Sequence, residues 1–351
     1  MPRVMGIDPG TVSLDVCGLA DGEVWLDASW PTANALADPE RLLQRLSAGG
    51  ELDLIAGPSG YGLPLSRAAD ATDEDLRLAF LAGPDESGGI GGLRALARRL
   101  ANSGLPVVYT PAVIHLDTVP AHRKLNRVDL GTADKLCAAA LAIEDQRRRR
   151  GRPLSQVSLV LLELGGAFTA GVAVQEGRVV DGIGGTSGPL GWRSPGALDG
   201  EVAFLAGQVS KEMLFQGGAA TVMERHPERR ADAFEAYVEG AVKTARQLQV
   251  AAPAADEVLL SGRHAADEEI QHRLGRALAD VGPVRLLVGF AGQAKQSAQG
   301  AALLADGLAG GVHQALVERL RIKEAKGTVL DHLYVISPQQ ARRRLGLHSD
   351  G

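Results

Sequence analysis

An internal repeat constrains the fold of this chain more than any other feature of its sequence. Residues 4–26, VMGIDPGTVSLDVCGLADGEVWL, align without a gap on residues 159–181, LVLLELGGAFTAGVAVQEGRVVD. Each copy has an apolar run, an acid, a glycine turn, a second alternating run and another glycine turn, which predicts a β-meander. The alignment matches Asp8 with Glu163, Gly10 with Gly165 and Gly22 with Gly177. Carboxylates and glycines that match in register favour two related domains over two unrelated meanders.

Helical and strand patterns alternate after each meander. In the first half, apolar periodicity predicts helices in 39–49, 91–104 and 132–150, and strands in 52–60 and 106–111. In the second half, it predicts helices in 230–249, 267–280 and 296–310, and strands in 256–262 and 283–289. A meander followed by helical crossovers gives a mixed sheet. The sequence therefore predicts an α/β fold with two similar domains in tandem.

Domain limits follow from a polar segment near the middle of the chain. Residues 145–156, DQRRRRGRPLSQ, contain Gly and Pro and predict a joint between domains at 1–150 and 151–311. The four arginines at 147–150 are interpreted as a solvated helix end. Residues 312–351 are predicted to form a C-terminal helical extension, which would pack on the first domain or join two copies in a homodimer.

Composition limits the classes of function. The 351 residues are 45% hydrophobic and 23% charged, with a net charge of −5, as in a folded soluble protein. This acidic balance disfavours a nucleic-acid partner, because such affinity comes from Lys and Arg neutralising phosphates. Cys17 and Cys137 lie in apolar sequence and are interpreted as reduced core residues. No apolar stretch reaches the ~20 residues that span a bilayer, and no leader is evident, so we expect a cytoplasmic protein without a membrane partner.

Five motifs carry a resemblance to a known superfamily. They are GIDPGT at 6–11, LELGGAFTAGVAV at 162–174, EVLLSGR at 257–263, AQGAALLA at 298–305 and GTADKLCAAALA at 131–142. They resemble the two phosphate loops, the adenosine turn and the two interdomain helices of the acetate and sugar kinase, heat-shock ATPase and actin superfamily. The resemblance covers roughly residues 1–310 and is closest to a group described as predicted butyrate kinases. It implies tandem ribonuclease-H-like (actin-like ATPase) domains that bind ATP in an interdomain cleft.

The resemblance also implies which residues bind the nucleotide. Glycine turns let backbone N–H groups approach phosphate oxygens without obstruction by side chains. At the adenosine turn, where a Gly pair is commoner, Arg263 would stack on the base or the base would be held more loosely. The residues assigned to the nucleotide are Gly10, Thr11, Gly165, Gly166, Ser261, Gly262 and Arg263. A further glycine-rich loop at 184–191 is interpreted equally well as a phosphate-binding loop or a plain surface loop.

Three acids are candidates for catalysis. Asp8 and Glu163, one from each repeat, would hold Mg²⁺, an ion that proteins bind through few carboxylates and several waters. Glu163 stands where the superfamily usually has Asp, so its contact with the metal would be direct or through water. Asp134, near the start of its helix, is the candidate general base, although a helix N-terminus favours Asp on electrostatic grounds alone.

Residues for the phosphoryl acceptor precede the helix of Asp134. Segment 115–129, HLDTVPAHRKLNRVD, gathers cations that would hold a carboxylate or phosphate; an exposed, solvated loop is the alternative. The segment that contains Tyr61 ends a strand, where ligands of α/β sheets bind. The residues assigned to the acceptor are Tyr61, His122, Arg123 and Arg127.

These assignments predict an ATP-dependent phosphotransferase that acts on a small molecule, with a short-chain carboxylate as the acceptor that the resemblance implies. A nucleotide switch acting on a protein partner is one alternative, and the chain shows no obvious peptide-binding domain for it. A nuclease is another, because GIDPGT also resembles the start of Holliday-junction resolvases. The repeat and the acidic charge disfavour the nuclease. No G-x-x-x-x-G-K-[ST] motif occurs, which excludes a P-loop NTPase.

Overall fold

The structure, a computed structural model, describes residues 2–10, 12–58, 60–83 and 90–347. The chain divides into two compact units. The first unit contains Met1–Val128, Thr132–Glu144 and Gly289–Gly351, and the second contains Asp129–Gly131 and Asp145–Val288. These units are groups of residues that pack together, whereas the domains predicted from the sequence are continuous segments; that segment division stays a prediction.

Eleven strands and thirteen helices are found in the described residues. The strands are β1 (Arg3–Pro9), β2 (Ser13–Ala20), β3 (Glu23–Pro31), β4 (Leu54–Pro58), β5 (Ser66–Arg67), β6 (Val107–Thr110), β7 (Leu159–Leu164), β8 (Thr169–Gln175), β9 (Arg178–Ile183), β10 (Val258–Ser261) and β11 (Val284–Leu286). The helices are α1 (Thr32–Ala37), α2 (Pro39–Ser47), α3 (Asp73–Phe80), α4 (Ile90–Ala101), α5 (Ala121–Lys124), α6 (Ala133–Arg150), α7 (Gly200–Ala206), α8 (Ala219–Arg225), α9 (Arg230–Ala251), α10 (Glu268–Ala277), α11 (Gln296–Leu308), α12 (Gln314–Leu320) and α13 (Pro338–Arg344). The helices and strands predicted between residues 39 and 310 are confirmed.

The first unit is built on a mixed six-stranded sheet with the order β3-β2-β1-β4-β6-β5. The meander strands β1, β2 and β3 pair antiparallel, and β4 and β6 continue the sheet in parallel with β1. Apolar side chains from both kinds of strand form one buried core, in which Met5, Ile55 and Tyr109 are fully covered. Parallel strands place their carboxyl ends at one edge, and Asp8 lies at that edge.

Helix α11 packs directly on this sheet through small residues. A Cβ atom at Gly6 of β1 would overlap the backbone of Ala298 and Ala302, and one at Gly300 would overlap the backbone of Cys137 in α6. Only glycine allows such close approach. The small-residue segment that resembles an interdomain helix therefore belongs, in α11, to the first unit.

The second unit repeats the same plan with a five-stranded sheet, β11-β10-β7-β8-β9. Strands β7, β8 and β9 form an antiparallel meander, and β10 and β11 run parallel to β7. Helix α9 covers this sheet with an apolar face that includes Tyr237, Ala241 and Leu248. The sheet thus has the same strand directions around β7 as the first sheet has around β1.

Two details of the backbone are the same in both meanders. The register shifts between Gly18 and Leu19 in the first copy and between Ala173 and Val174 in the second, and these positions match in the sequence alignment. Both β2–β3 and β8–β9 turns have two successive residues with positive φ, Asp21-Gly22 and Glu176-Gly177. Two positive φ angles in a two-residue turn suit the twist of a hairpin. The predicted repeat is therefore a repeat of three-dimensional structure.

The arginine run at the end of α6 is solvated in part, with Arg148 and Arg149 exposed, but it also pairs with acids. Arg149 and Arg150 form ion pairs with Glu257 and Asp256, and Arg152 joins Asp256 as well. Glu257 is fully buried, so it needs cations to offset the loss of its hydration. The charges therefore fix the end of α6 to the start of β10.

The C-terminal residues pack on the first unit. Arg77 of α3 donates hydrogen bonds to the backbone oxygens of Leu345 and Gly346, and Arg342 of α13 pairs with Glu74. This packing agrees with one of the two roles considered from the sequence, and the homodimer stays a prediction. No helix in the described part of the chain combines the length and apolar character needed to cross a membrane.

Candidate active site

The end of β1 delivers a carboxylate to a tight turn. The Gly10 N–H donates to the backbone oxygens of Asp8, at 3.1 Å, and Ser13, at 3.0 Å. Asp8 is 6% exposed and pairs in register with Asp15 of β2. Thr11, which was assigned to the phosphates, lies outside the described residues. The turn therefore places two acids of neighbouring strands at one sheet edge.

Asp8 and Asp134 are electrically coupled. Burial raises the pKa of Asp8 to about 7, and the charge of Asp134 contributes in the same direction. Burial also acts to raise the pKa of Asp134, but the Lys135 ammonium and the Thr132 hydroxyl outweigh it and lower that pKa. Both groups bond to Asp134 at 2.5 Å. Two carboxyls with pKa values pushed apart are a common arrangement at catalytic sites.

Lys295 and Asp15 were missed by the sequence analysis. Lys295 Nζ lies 3.3 Å from Asp15 Oδ2, and a Cβ atom at Gly10 would lie 3.2 Å from the same nitrogen. Asp15 is 1% exposed, and its Oδ2 also accepts the Ser13 hydroxyl at 2.7 Å. The signal that could have found it is a charged residue in the otherwise apolar run LDVCGLA.

The segment before α11 is held in place by two side chains. Asp27 accepts the backbone N–H groups of Gly292, Gln293 and Ala294 at 2.7–3.1 Å. Gln299 accepts the N–H groups of Phe290 and Ala291 and donates to Ala294 O at 2.7 Å. These bonds fix the backbone that leads into Lys295.

The second unit has an equivalent turn at the end of β7. The Gly165 N–H donates to Phe168 O at 2.9 Å, the same separation along the chain as Gly10 to Ser13. Glu163 is half-buried and pairs in register with Ser261 of β10. Where the first copy has Asp15, the second has Ala170. The two turns therefore share a backbone design but differ in their charge.

The residues assigned to adenosine lie beside this turn. Gly262 has a φ of +90°, and a Cβ atom there would lie 2.6 Å from Leu164 O. Arg263 Cδ is 3.7 Å from the Cβ position of Gly166. Ser261 is 1% exposed, and its hydroxyl oxygen has no hydrogen-bond partner among the described residues. The structure thus gathers Gly165, Gly166 and residues 261–263 in one place, as their assignment to one ligand requires.

The glycine-rich loop at 184–191 binds a protein carboxylate. Asp129 Oδ2 accepts the Thr186 N–H at 3.0 Å and the Thr186 hydroxyl at 2.8 Å. Its backbone oxygen accepts the Ser187 hydroxyl at 2.5 Å. A Cβ atom at Gly184 would overlap the Asp129 carboxyl. The donors considered for phosphate are therefore bonded to Asp129 in this structure.

The acceptor residues are only partly brought together. The loop of Tyr61 reaches the start of α6, because Gly60 O accepts the Ala133 N–H at 3.0 Å. His122 and Arg127 are exposed, as the solvated-loop alternative expects, and Arg123 is half-buried. Their role in binding an acceptor stays a prediction.

The first turn has an oxygen donor of the kind that Mg²⁺ prefers. Asp15 Oδ1 is buried beside Asp8 with no hydrogen-bond partner among the described residues, so one carboxylate oxygen there is available. Magnesium prefers oxygen ligands and needs only one or two carboxylates. No group of three or more His, Cys, Asp or Glu side chains that would form an all-protein metal site occurs in the described ranges. The assignment of Asp8 and Glu163 to magnesium stays a prediction.

Solved structures share this architecture. A propionate kinase from Francisella tularensis subsp. tularensis SCHU S4 has a TM-score of 0.60 at 12% identity, covering 86% of this chain and 99% of its own. Acetate kinase from Porphyromonas gingivalis has a TM-score of 0.57 at 12% identity, covering 86% and 98%. Acetate kinase from Entamoeba histolytica has a TM-score of 0.56 at 12% identity, covering 80% and 87%.

The chain therefore has the fold of the acetate and sugar kinase, heat-shock ATPase and actin superfamily, with two mixed-sheet α/β units of the actin-like ATPase type. The predicted fold class is confirmed, and the resemblance to this superfamily is confirmed at the level of the fold. The chain belongs to the family described as "protein of unknown function (DUF1464)", whose model matches residues 6–335. Comparison with curated protein sequences gives no match.

Proposed function

We propose that this protein is an ATP-dependent phosphotransferase that acts on a small molecule. One observation carries the proposal: an acid followed by a glycine turn ends the central strand of each unit, as Asp8-Gly10 in one and Glu163-Gly165 in the other. The fold shared with acetate and propionate kinases supports it. Two turns of one design suit a ligand with several phosphates.

The nucleotide would be bound by backbone groups and few side chains. Glycine turns at β1 and β7 present N–H groups to phosphate oxygens. In the second unit, the residues gathered beside β7 would hold the adenosine, with Arg263 stacked on the base. Magnesium held by Asp8 and Glu163 would neutralise charge on the phosphates.

The acceptor is proposed to be a short-chain carboxylate, as in the predicted butyrate kinases. A carboxylate needs no general base, since it is already ionised and nucleophilic at neutral pH. Cations near Asp134, of which Lys135 is bonded to it, would offset repulsion between acceptor and protein.

A hydroxyl acceptor is a second candidate, and the state of Asp134 favours it. Its pKa is lowered, so the group is ionised at neutral pH and able to accept a hydroxyl proton. A hydroxyl acceptor would therefore give Asp134 the base role assigned from the sequence.

Calorimetric titration with Mg-ATP, together with an ADP-release assay, tests the proposal. The acceptors are acetate, propionate and butyrate, with glucose and glycerol as hydroxyl compounds. We expect saturable ATP binding and ADP release that depends on one acceptor class. Binding without any stimulated release would favour the nucleotide switch, and absence of binding would refute the kinase.

The variant Asp8→Asn tests the role of the first acid. We expect loss of turnover with no decrease in melting temperature, since the amide is close in size and removes a buried charge. Glu51→Gln is the matched control, because Glu51 is exposed and precedes β4, at the opposite end of the strands. An Asp8→Asn protein with the wild-type rate would contradict the assignment.

A further inference from the structure

We propose that Lys295 binds the terminal phosphates of the nucleotide, and that Asp15 positions its ammonium group over the β1–β2 turn. This inference rests on the proposed function and adds to it the cation of the first phosphate site. None of the sequence motifs contains Lys295.

Lys295 has a fixed backbone and a partly exposed side chain. The segment before it is bound by Asp27 and Gln299, and Lys295 O accepts the Gln299 N–H at 3.1 Å. Its side chain is 46% exposed. A flexible side chain on a fixed backbone can reach a ligand without movement of the fold.

The ammonium group lies at the turn itself. Its 3.2 Å distance from the Cβ position of Gly10 shows that the space above this glycine is filled by Lys295 Nζ. An ammonium group has three donors, and the ion pair that it forms with the described residues is to Asp15 Oδ2. Because the side chain is partly exposed, phosphate oxygens would take the place of water at the other donors.

Asp15 explains why the cation stays there. The carboxylate is buried, and its Oδ2 is held by the Ser13 hydroxyl. The equivalent residue in the second copy is Ala170, whose unit has Arg263 instead beside its own turn. The acid–lysine pair at the first glycine turn is thus formed by a residue that the second copy replaces with alanine.

A purely structural role for Lys295 is the competing explanation. In that case the lysine only neutralises the buried Asp15, and its loss would destabilise the fold without any preference among nucleotides. The two explanations predict different results in two measurements. One is how the loss of affinity varies with the number of phosphates on the nucleotide, and the other is whether a second substitution, at Asp15, restores what the lysine variant lost.

The test compares four variants: Lys295→Met, Lys295→Arg, Asp15→Asn and the double variant Asp15→Asn/Lys295→Met. For each variant, the affinities for Mg-ATP, Mg-ADP and AMP and the melting temperature are measured. Hydrogen bonds to charged groups contribute enough for about a tenfold to hundredfold loss. We expect that loss for ATP with Lys295→Met, a smaller one for ADP and almost none for AMP. Lys295→Arg should retain part of the ATP affinity.

The double variant separates the explanations. We expect it to bind ATP as weakly as Lys295→Met, because removal of Asp15 cannot restore a phosphate contact. Recovery of ATP affinity and melting temperature together in the double variant would overturn the proposal, as would an equal loss for all three nucleotides. Lys243→Met is the matched control, since Lys243 pairs with Glu239 on an exposed helix face.

The wild-type protein distinguishes failure of this inference from failure of the proposed function. If it binds no nucleotide, both fall together. If it binds Mg-ATP and Lys295→Met binds equally well, only the role of Lys295 is refuted.

Discussion

Two helical glycines allow a direct test of the close contact between α11 and α6. Gly300 and Gly275 both lie inside helices, in α11 and α10. Alanine is favoured over glycine in a helix interior by about 1 kcal/mol. At Gly275 an added Cβ atom meets nothing within 4 Å, whereas at Gly300 it would overlap the Cys137 backbone. The same substitution should therefore have opposite effects.

The magnitudes follow from these surroundings. Gly275→Ala should stabilise by roughly 0.5–1 kcal/mol. Overpacking costs about 1–3 kcal/mol, and the upper end applies at Gly300 because the obstacle is backbone of a second helix. When the higher helix propensity of alanine is subtracted, Gly300→Ala should destabilise the protein by about 2 kcal/mol. Units of this size lose about 2–4 °C in melting temperature per kcal/mol, which predicts a decrease of about 4–8 °C.

Thermal unfolding followed by circular dichroism and by hydrogen exchange measures both effects. We expect slower exchange in α10 for Gly275→Ala and faster exchange in β1 and α11 for Gly300→Ala. If Gly300→Ala raises the melting temperature as Gly275→Ala does, α11 and α6 do not approach as closely as described, and this would refute the reasoning.

Three further predictions concern buried polar groups. Burial lowers the pKa of His115 to about 4, so the unfolded state binds more protons and stability should fall by about 2 kcal/mol between pH 7 and pH 5. In urea unfolding, the stability of His115→Gln should lose most of this dependence on pH. A variant whose stability depends on pH as steeply as that of the wild type would contradict the prediction. Glu257→Gln should destabilise by about 2–4 kcal/mol, because Arg149 loses its buried partner; a melting temperature equal to that of the wild type would refute this. Asp129→Ala leaves Thr186 and its loop without their acceptor, so limited proteolysis should cut within 184–191 earlier than in the wild type, and an identical digestion pattern would count against the loop anchor.

Structural features that follow a regular sequence pattern could be predicted. The two meanders, the crossover helices and strands, and the acid–glycine turns each recur along the chain or alternate regularly, so the fold class followed from them. Helix α3 was not predicted, although Thr72 and Asp75 form a capping box at its start that the letters T-x-x-D could have indicated.

Contacts between distant residues could not be predicted. Asp15 and Lys295 look like ordinary charges in the sequence, and only the packing of α11 on the first sheet brings them together. The same holds for Asp129, which lies far along the chain from the loop it anchors. The arginines at the end of α6 looked solvated because the buried Glu257 directly precedes a strand about a hundred residues further on. Such pairs have no local signature, since their cause is tertiary.

The chain path of the two units has a consequence for synthesis. The second unit is almost continuous in sequence, whereas the first closes only with residues from Gly289 onward. Strands β1 and β4 emerge early from a ribosome, yet the helix that covers them, α11, is among the last elements made. The second unit can therefore complete its core while the first sheet still lacks its cover. Loss of the last sixty or so residues would thus damage the earliest-made sheet most, since unfinished units expose apolar surface.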